Sequence, residues 1–409
     1  MKIIIFYLLL LIPSAFYAQE IQKIRIDPSL AYGGRVSDYF ETVEFIPLET
    51  TKESLFGDRD QMIVTDSSFV ISDFDTKSIL FFTLKGKFLG KKSFPKNKYL
   101  NIQEDILSKK IILRIYDPEA YKAEAEHYSF TGRLLAKTSI KMKDFLGTTA
   151  WVPLGNDYYA VGRNCYIEPG KKPRDSAFNL IEIYHRDVLY NSFLPVNQLK
   201  KMGLCRINGF IDISKRTQQG SVFAATPLEH VIYKINKDSA TPIYKMLFPA
   251  DRAVSDSILY SVNLKRIDST IKKLQDDPNL ITNLSNIFFH NNLLFFRINA
   301  NVYFSTTSSE SAAQYNFFYD TASRKLSSLE RIKPDELSYF LPLSDFTTSM
   351  KGFEYDGDFV YSTVSALNMF AQRKATKERV SKLSSGLEKF FNMENRKSNL
   401  IIVKMKLKE

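Results

Sequence analysis

Two cysteines in 409 residues, Cys165 and Cys205, exclude a disulfide-built scaffold, and neither belongs to a pair with metal-ligand spacing. Histidine is equally scarce: His127, His185, His230 and His290 lie far apart in the chain. The chain has no His-Glu-x-x-His, no Cys-x-x-Cys, no phosphate loop and no Gly-x-Ser-x-Gly elbow. The common metalloprotease, redox, nucleotide-hydrolysis and serine-hydrolase classes therefore have no motif here. Asp356-Gly357-Asp358 lacks the further oxygen ligands of a calcium loop and reads as a hairpin turn. Glycine (16) and proline (15) are modest, which argues against disorder and collagen-like repeats. No cofactor and no metal are expected.

Long apolar runs are missing too, apart from the first twelve residues. Lys2 supplies a short positive segment, Ile3 to Ile12 is apolar, and Pro13 to Ala18 leads into Gln19-Glu20. That run is too short to span a bilayer, so residues 1–18 read as a cleaved secretory signal. No later segment is a transmembrane candidate, and the expected location is the periplasm or the medium.

Aromatic residues are abundant, with 32 Phe and 22 Tyr beside a single Trp, Trp151. Phe and Tyr favour half-buried pleated surfaces, which leans the chain towards β structure. The formal charge of +11 is scattered singly or in short clusters such as Lys171-Lys172-Pro173-Arg174, without the stripe or module of a nucleic-acid binder.

The chain is organised around Met62 to Phe88. Three short apolar runs, Met62-Ile63-Val64, Phe69-Val70-Ile71 and Ile79-Leu80-Phe81-Phe82, are separated by Asp/Ser/Thr turns and followed by Gly86-Lys87-Phe88. This spacing predicts hairpin-connected antiparallel strands. A meander of this size cannot bury its own faces and needs copies beside it. Weaker copies begin near Ile111, Trp151, Phe210, Ile287 and Gly352; the turn pattern Phe82 to Phe88 recurs at Phe130 to Leu134. Residues near 251–284 carry apolar residues at helical spacing, and residues near 367–391 form a charged helical stretch; both predict helical insertions.

Six copies with irregular insertions predict an all-β fold, a six-bladed β-propeller spanning 19–409 as one domain. N-terminal strands around Ile24 and Phe45 are expected to pair with the C-terminal blade and close the ring. Two stacked β-sandwiches are the alternative.

Several stretches resemble the six-bladed propeller proteins exported by Bacteroidetes, with NHL/TolB-like architecture. They are Ile46-Pro47-Leu48-Glu49-Thr50-Thr51, Phe69-Val70-Ile71-Ser72-Asp73, Ile79 to Phe82 with Gly86-Lys87-Phe88, and the closing Asn399-Leu400-Ile401-Ile402-Val403. The resemblance is clear over about the first 90 residues and the last ten, and architectural between. Many such proteins carry a lipid-bearing Cys after the signal; this chain lacks it. The family brings no general catalytic motif.

In a propeller, loops joining second to third strands share one rim with the connections between blades, and the long insertions fall there. That rim is the expected binding face. Three second strands end alike, in Arg114, Arg163 (followed by Asn164) and Arg297 (followed two residues on by Asn299). Their guanidinium groups, converging at a channel mouth, would suit a carboxylate or sulfate; pairing of each with a carboxylate of a neighbouring blade is the plainer alternative. Cys165 and Cys205 fall on the same rim and are disulfide candidates. The functional expectation is a monomeric, exported binding module for a saccharide, peptide or envelope protein, with no nucleic acid and no transmembrane segment. The alternatives are a propeller hydrolase or lyase with a metal in the channel, and a structural subunit of an envelope complex.

Overall fold

The structure, a computed structural model, describes residues 21–408 except 58, 141–147, 166–176, 187, 208–210, 215–219, 262, 264, 266, 268–269, 271–276, 278, 301–313, 346–352 and 380–381. Six antiparallel sheets follow one another along the chain and stand side by side in a ring. Blade one is Gln61–Val64, Ser68–Asp73, Ser78–Thr83 and Phe88–Ser93, from the inner strand outwards. Blade two runs Tyr99–Asp105, Lys110–Asp117, Lys122–Ser129, Leu134–Ile140, and blade three Thr148–Gly155, Tyr158–Arg163, Ala177–His185, Val188–Asn197. Blade four is Asp212–Ile213, Val222–Ala225, Val231–Ile235, Ala240–Leu247; blade five is Ile281–His290, Leu293–Ala300, Gln314–Asp320, Lys325–Lys333. Blade six is Glu354–Tyr355, Phe359–Val364 and Ile401–Leu407, completed by Phe40–Pro47 from the N-terminal side.

Within a blade the residue pattern follows position. The middle strands of blade one are covered on both faces and read as nearly unbroken apolar runs, whereas its outer strand exposes Leu89, Lys92 and Ser93 on an open edge. The turn pattern seen twice in the sequence is one physical device. Gly86 and Gly132 both sit at positive φ, +79° and +89°, in loops where the third strand turns into the outer one. Each loop is closed by paired backbone bonds, Thr83 to Lys87 and Ser129 to Arg133, and followed by a one-residue register shift. The Asp356-Gly357-Asp358 turn likewise joins the first two strands of blade six, with Gly357 at φ +114°.

The ring closes where Phe40–Pro47 pairs antiparallel with Ile401–Leu407, as expected for the Phe45 strand. The Ile24 strand departs from expectation. Gln22–Arg25 adds in parallel to the outer strand of blade four, not to the C-terminal blade. Its Ile24, with Ile26 and Ala31, fills an apolar gap between blades four and five, which decides its place. Gly33 and Gly34 lie in a further N-terminal strap, Tyr32–Arg35, parallel to the outer strand of blade five. A Cβ on Gly33 would come within 2.4 Å of the Arg331 carbonyl oxygen, so only glycine allows that approach.

The helical insertion near 251–284 contains Asp256–Leu259, and the inner strand of blade five already begins at Ile281; much of the rest lies outside the described residues. The second insertion forms Ala366–Thr376 and Ser385–Met393, which bury Met369, Leu387 and Phe390 against blades five and six. No helix among the described residues is long and apolar enough to cross a membrane.

Candidate functional site

The inner strands of all six blades enclose a central channel of about 190 Å³. At about 30 Å³ per water, this holds roughly six waters, the space of one small ring. Its wall carries amides (Gln61, Asn101, Gln103, Asn286), Ser214, Trp151, Tyr355 and three carboxylates. The carboxylates come from alternate blades: Glu104 from blade two, Asp212 from four and Glu354 from six. No Lys or Arg is among the described residues of this wall. Nor does any group of three His, Cys, Asp or Glu among the described residues come together to hold a metal ion.

Among the described residues, hydrophobic clusters fill five of the six seams between blades. Val70, Ile79 and Phe81 of blade one meet Leu100, Ile111 and Leu113 of blade two, and similar clusters occupy the seams three–four, four–five, five–six and six–one. The seam between blades two and three is different. Because Ile111, Leu113 and Ile115 face blade one, strand alternation turns Ile112, Arg114 and Tyr116 towards blade three. Cross-strand pairing puts Asn101 and Ala125 on the same side as Arg114. In blade three, Val152, Ala160, Ile181 and Ile183 face blade four, which leaves Trp151, Tyr159, Val161, Arg163, Glu182 and Tyr184 facing blade two. Small alanines on one wall thus oppose aromatic and charged side chains on the other.

Arg163 belongs to a closed triad. Its Nε donates to Glu182 Oε2 at 2.7 Å, its Nη2 donates to Tyr184 Oη at 3.0 Å, and Tyr184 Oη donates to the same Glu182 oxygen at 2.8 Å. Burial alone would lower the Arg163 pKa, but Glu182 and Tyr184 outweigh it and hold it above the ordinary value. Arg114 is the reverse case: burial, and then the neighbouring Arg163 charge, both lower its pKa. Two guanidinium groups therefore share this seam with the Glu182 carboxylate. The seam also opens on the channel, because Asn101, Gln103 and Trp151 belong to both. Trp151 stacks on Tyr159 at 4.1 Å between ring centres, fixing the indole at this junction. Gln103 Oε1 is buried there with no hydrogen-bond partner among the described residues.

The structure brings together only two of the three arginines. Blade five stands opposite blade two in the ring, and Arg297 is 8% exposed within the five–six seam, on the side of Phe295. Its cross-strand partner Asn316 donates from its backbone nitrogen (2.8 Å) and Nδ2 (3.0 Å) to Glu330 Oε1. The neighbouring-blade pairing considered for the arginines is also not what Arg163 does; its carboxylate is in its own blade. Asn164 follows Arg163, and its Oδ1 is buried without a partner among the described residues. Asn299 pairs in register with Asn283, and its side chain lies outside the described residues. Cys165 and Cys205 are joined as a disulfide with Cα atoms 4.9 Å apart, Cys205 lying on the short helix Met202–Ile207 between blades three and four. Residues 166–176 and 301–313, between the second and third strands of blades three and five on the rim expected to bind, lie outside the described residues.

Sequence reasoning missed Gln103, Trp151, Glu182 and Tyr184. Alternation in Glu182-Ile183-Tyr184 was the available signal, since it puts two polar groups on the face that Arg163 shares.

The fold is that of a six-bladed β-propeller with a narrow central channel of mixed polar and apolar lining. Within that class the chain belongs to the family described as a domain of unknown function, DUF4934, whose family model matches residues 24–406. Among solved structures it is similar to a candidate exported protein of Bacteroides fragilis, at 14% identity and TM-score 0.58, covering 95% of this chain and 100% of that one. It is also similar to a member of the DUF4221 family from Bacteroides vulgatus, at 8% identity and TM-score 0.43, covering 90% and 97%. At 14% identity the first of these likenesses speaks to the fold alone. No curated protein sequence matches the chain.

Proposed function

We propose that this protein is an exported ligand-binding propeller whose site is the junction of the central channel with the seam between blades two and three. The carrying observation is the pair Arg114 and Arg163, two guanidinium groups close enough for one charge to act on the other, held with Glu182 in a half-buried seam beside a channel lined in part by amides and an indole. A guanidinium taken out of water favours an anionic group, because a charge-assisted bond in a low-dielectric site is strong. Glu104, Asp212 and Glu354 elsewhere on the wall disfavour a polyanion. The fitting ligand is a small molecule or terminal residue with one acid group, set towards Arg114, and hydroxyl or amino donors for the remaining wall. Export rests on the residue 1–18 leader.

Calorimetric titration with small monocarboxylates, uronic acids included, tests the reading. Arg114→Gln should weaken binding roughly ten- to a hundredfold, the worth of one charged hydrogen bond. Arg297→Gln, in the far seam, should bind as the parent does. Equal affinity for parent and Arg114→Gln would overturn the site.

A further inference from the structure

A second cavity, of about 1050 Å³, lies on the opposite rim, where first strands turn into second ones and third into fourth. One wall is blade four, with Lys234 and Tyr244; the floor is Phe289 and His290 at the blade-five hairpin; the far wall is Tyr355 to Phe359 of blade six. Tyr355 lines both this groove and the channel, so the two spaces meet at its side chain.

The groove offers aromatic faces in series. Tyr244 and Phe289 lie nearly parallel at 6.2 Å between centres, with Phe223 packed against Phe289 at 4.6 Å, and Phe288 stacks on Tyr355 at 4.5 Å. Polar groups are spaced between them. Tyr355 Oη donates to the Gly357 carbonyl, so it accepts from His290 Nδ1 at 3.0 Å. That fixes the proton of the neutral imidazole on Nδ1 and leaves Nε2 an acceptor. Charge is close to balanced: Lys406 is paired with Glu41 at 2.6 Å, and Lys234 is offset by Asp358.

We propose that this groove binds a neutral oligosaccharide chain whose acidic end unit occupies the channel. The inference rests on the binding reading above and adds the ligand class. Pyranose rings present an apolar face of slightly positive C–H groups to the negative face of an aromatic ring, and hydroxyls to donors and acceptors around it. The volume is that of a several-ring ligand rather than of one ring. An extended peptide would pair with a free strand edge, but the groove is built from hairpin ends whose backbone ladders are already paired.

The experiment compares a free uronic acid with a short neutral oligosaccharide ending in that acid, using calorimetry and the fluorescence of Trp151, the chain's single tryptophan, at the channel. The oligosaccharide should bind more tightly, and Phe289→Ala should lose about tenfold for it, the upper worth of one stacking contact. The free acid should bind that variant unchanged and perturb Trp151 equally in both. Because Phe289 also supports the core, Lys234→Ala/Asp358→Ala serves as a surface variant and should weaken the oligosaccharide alone. Equal affinity of acid and oligosaccharide, or no effect of either groove variant, would overturn the groove while leaving the channel reading intact. Failure of both ligands to bind or to perturb Trp151 would overturn both. A preference for acid-ended peptides over saccharides would overturn the ligand class.

Discussion

The seam between blades two and three and the five other seams are built from the same strands and solve different problems. In the apolar seams, side chains such as Phe81 against Tyr128 exclude water and hold neighbouring blades together. The two–three seam replaces that packing with Arg114, the Arg163–Glu182–Tyr184 triad and two alanines. Buried charge is weak evidence of stability, since desolvation offsets most of the Coulombic gain. A ring that closes through five apolar seams can tolerate one seam of partly charged lining.

The comparison breaks most visibly in an apolar seam. Phe81 is fully buried between blades one and two, and its ring also packs on Gly132. Phe81→Ala should cost about 3–5 kcal/mol in denaturant unfolding. A loss below about 1 kcal/mol would mean that this seam does not hold the ring.

Next in size is a pH effect at the four–five seam. His230 is buried there, and since the Ile281 carbonyl can only accept, Nε2 donates to it at 3.2 Å. Burial lowers its pKa from 6.5 to about 4, against a smaller opposing pull from the Ile281 bond. A group depressed in the folded state binds its proton first in the unfolded chain, so stability is present above pH 6.5 and is lost as pH falls towards 4. The shift corresponds to about 3 kcal/mol across that window. Unfolding measured between pH 7 and 4 should show this slope in the parent, and His230→Gln should flatten it; identical slopes would remove His230 from the account.

The smallest expected effect sharpens the contrast. Arg114→Met should change stability by less than about 1 kcal/mol, because a half-buried charge beside another of the same sign gives way to an apolar chain of similar length. A loss as large as that of Phe81→Ala would make the two–three seam structural, like the others.

Much of this architecture is legible in the residues. Where both faces of a strand are covered, as in Phe69 to Ile71 and Ile79 to Phe82, the apolar run announces it. Two strands escaped such reading. Tyr99–Asp105 buries Leu100 and Ile102 on one side but turns Asn101 and Gln103 to the polar seam and channel, so half of its pattern resembles a loop. Lys325–Lys333 buries Ser327 and Ser328, polar residues covered in part by the N-terminal strap.

Most strands, their hairpin turns and their grouping into six blades follow from local sequence, because alternation, β-branched and aromatic content and positive-φ glycines act over a few neighbours. Only the tertiary structure decided which distant segments meet. Ile24 went to blade four because an apolar gap there fits it, and Phe45 to blade six because Ile401–Leu407 offered an open edge. Three arginines look alike in their strands, yet ring order sets Arg114 and Arg163 across one seam and Arg297 in the five–six seam. Such partnerships depend on blade position around a closed ring, which no local pattern encodes.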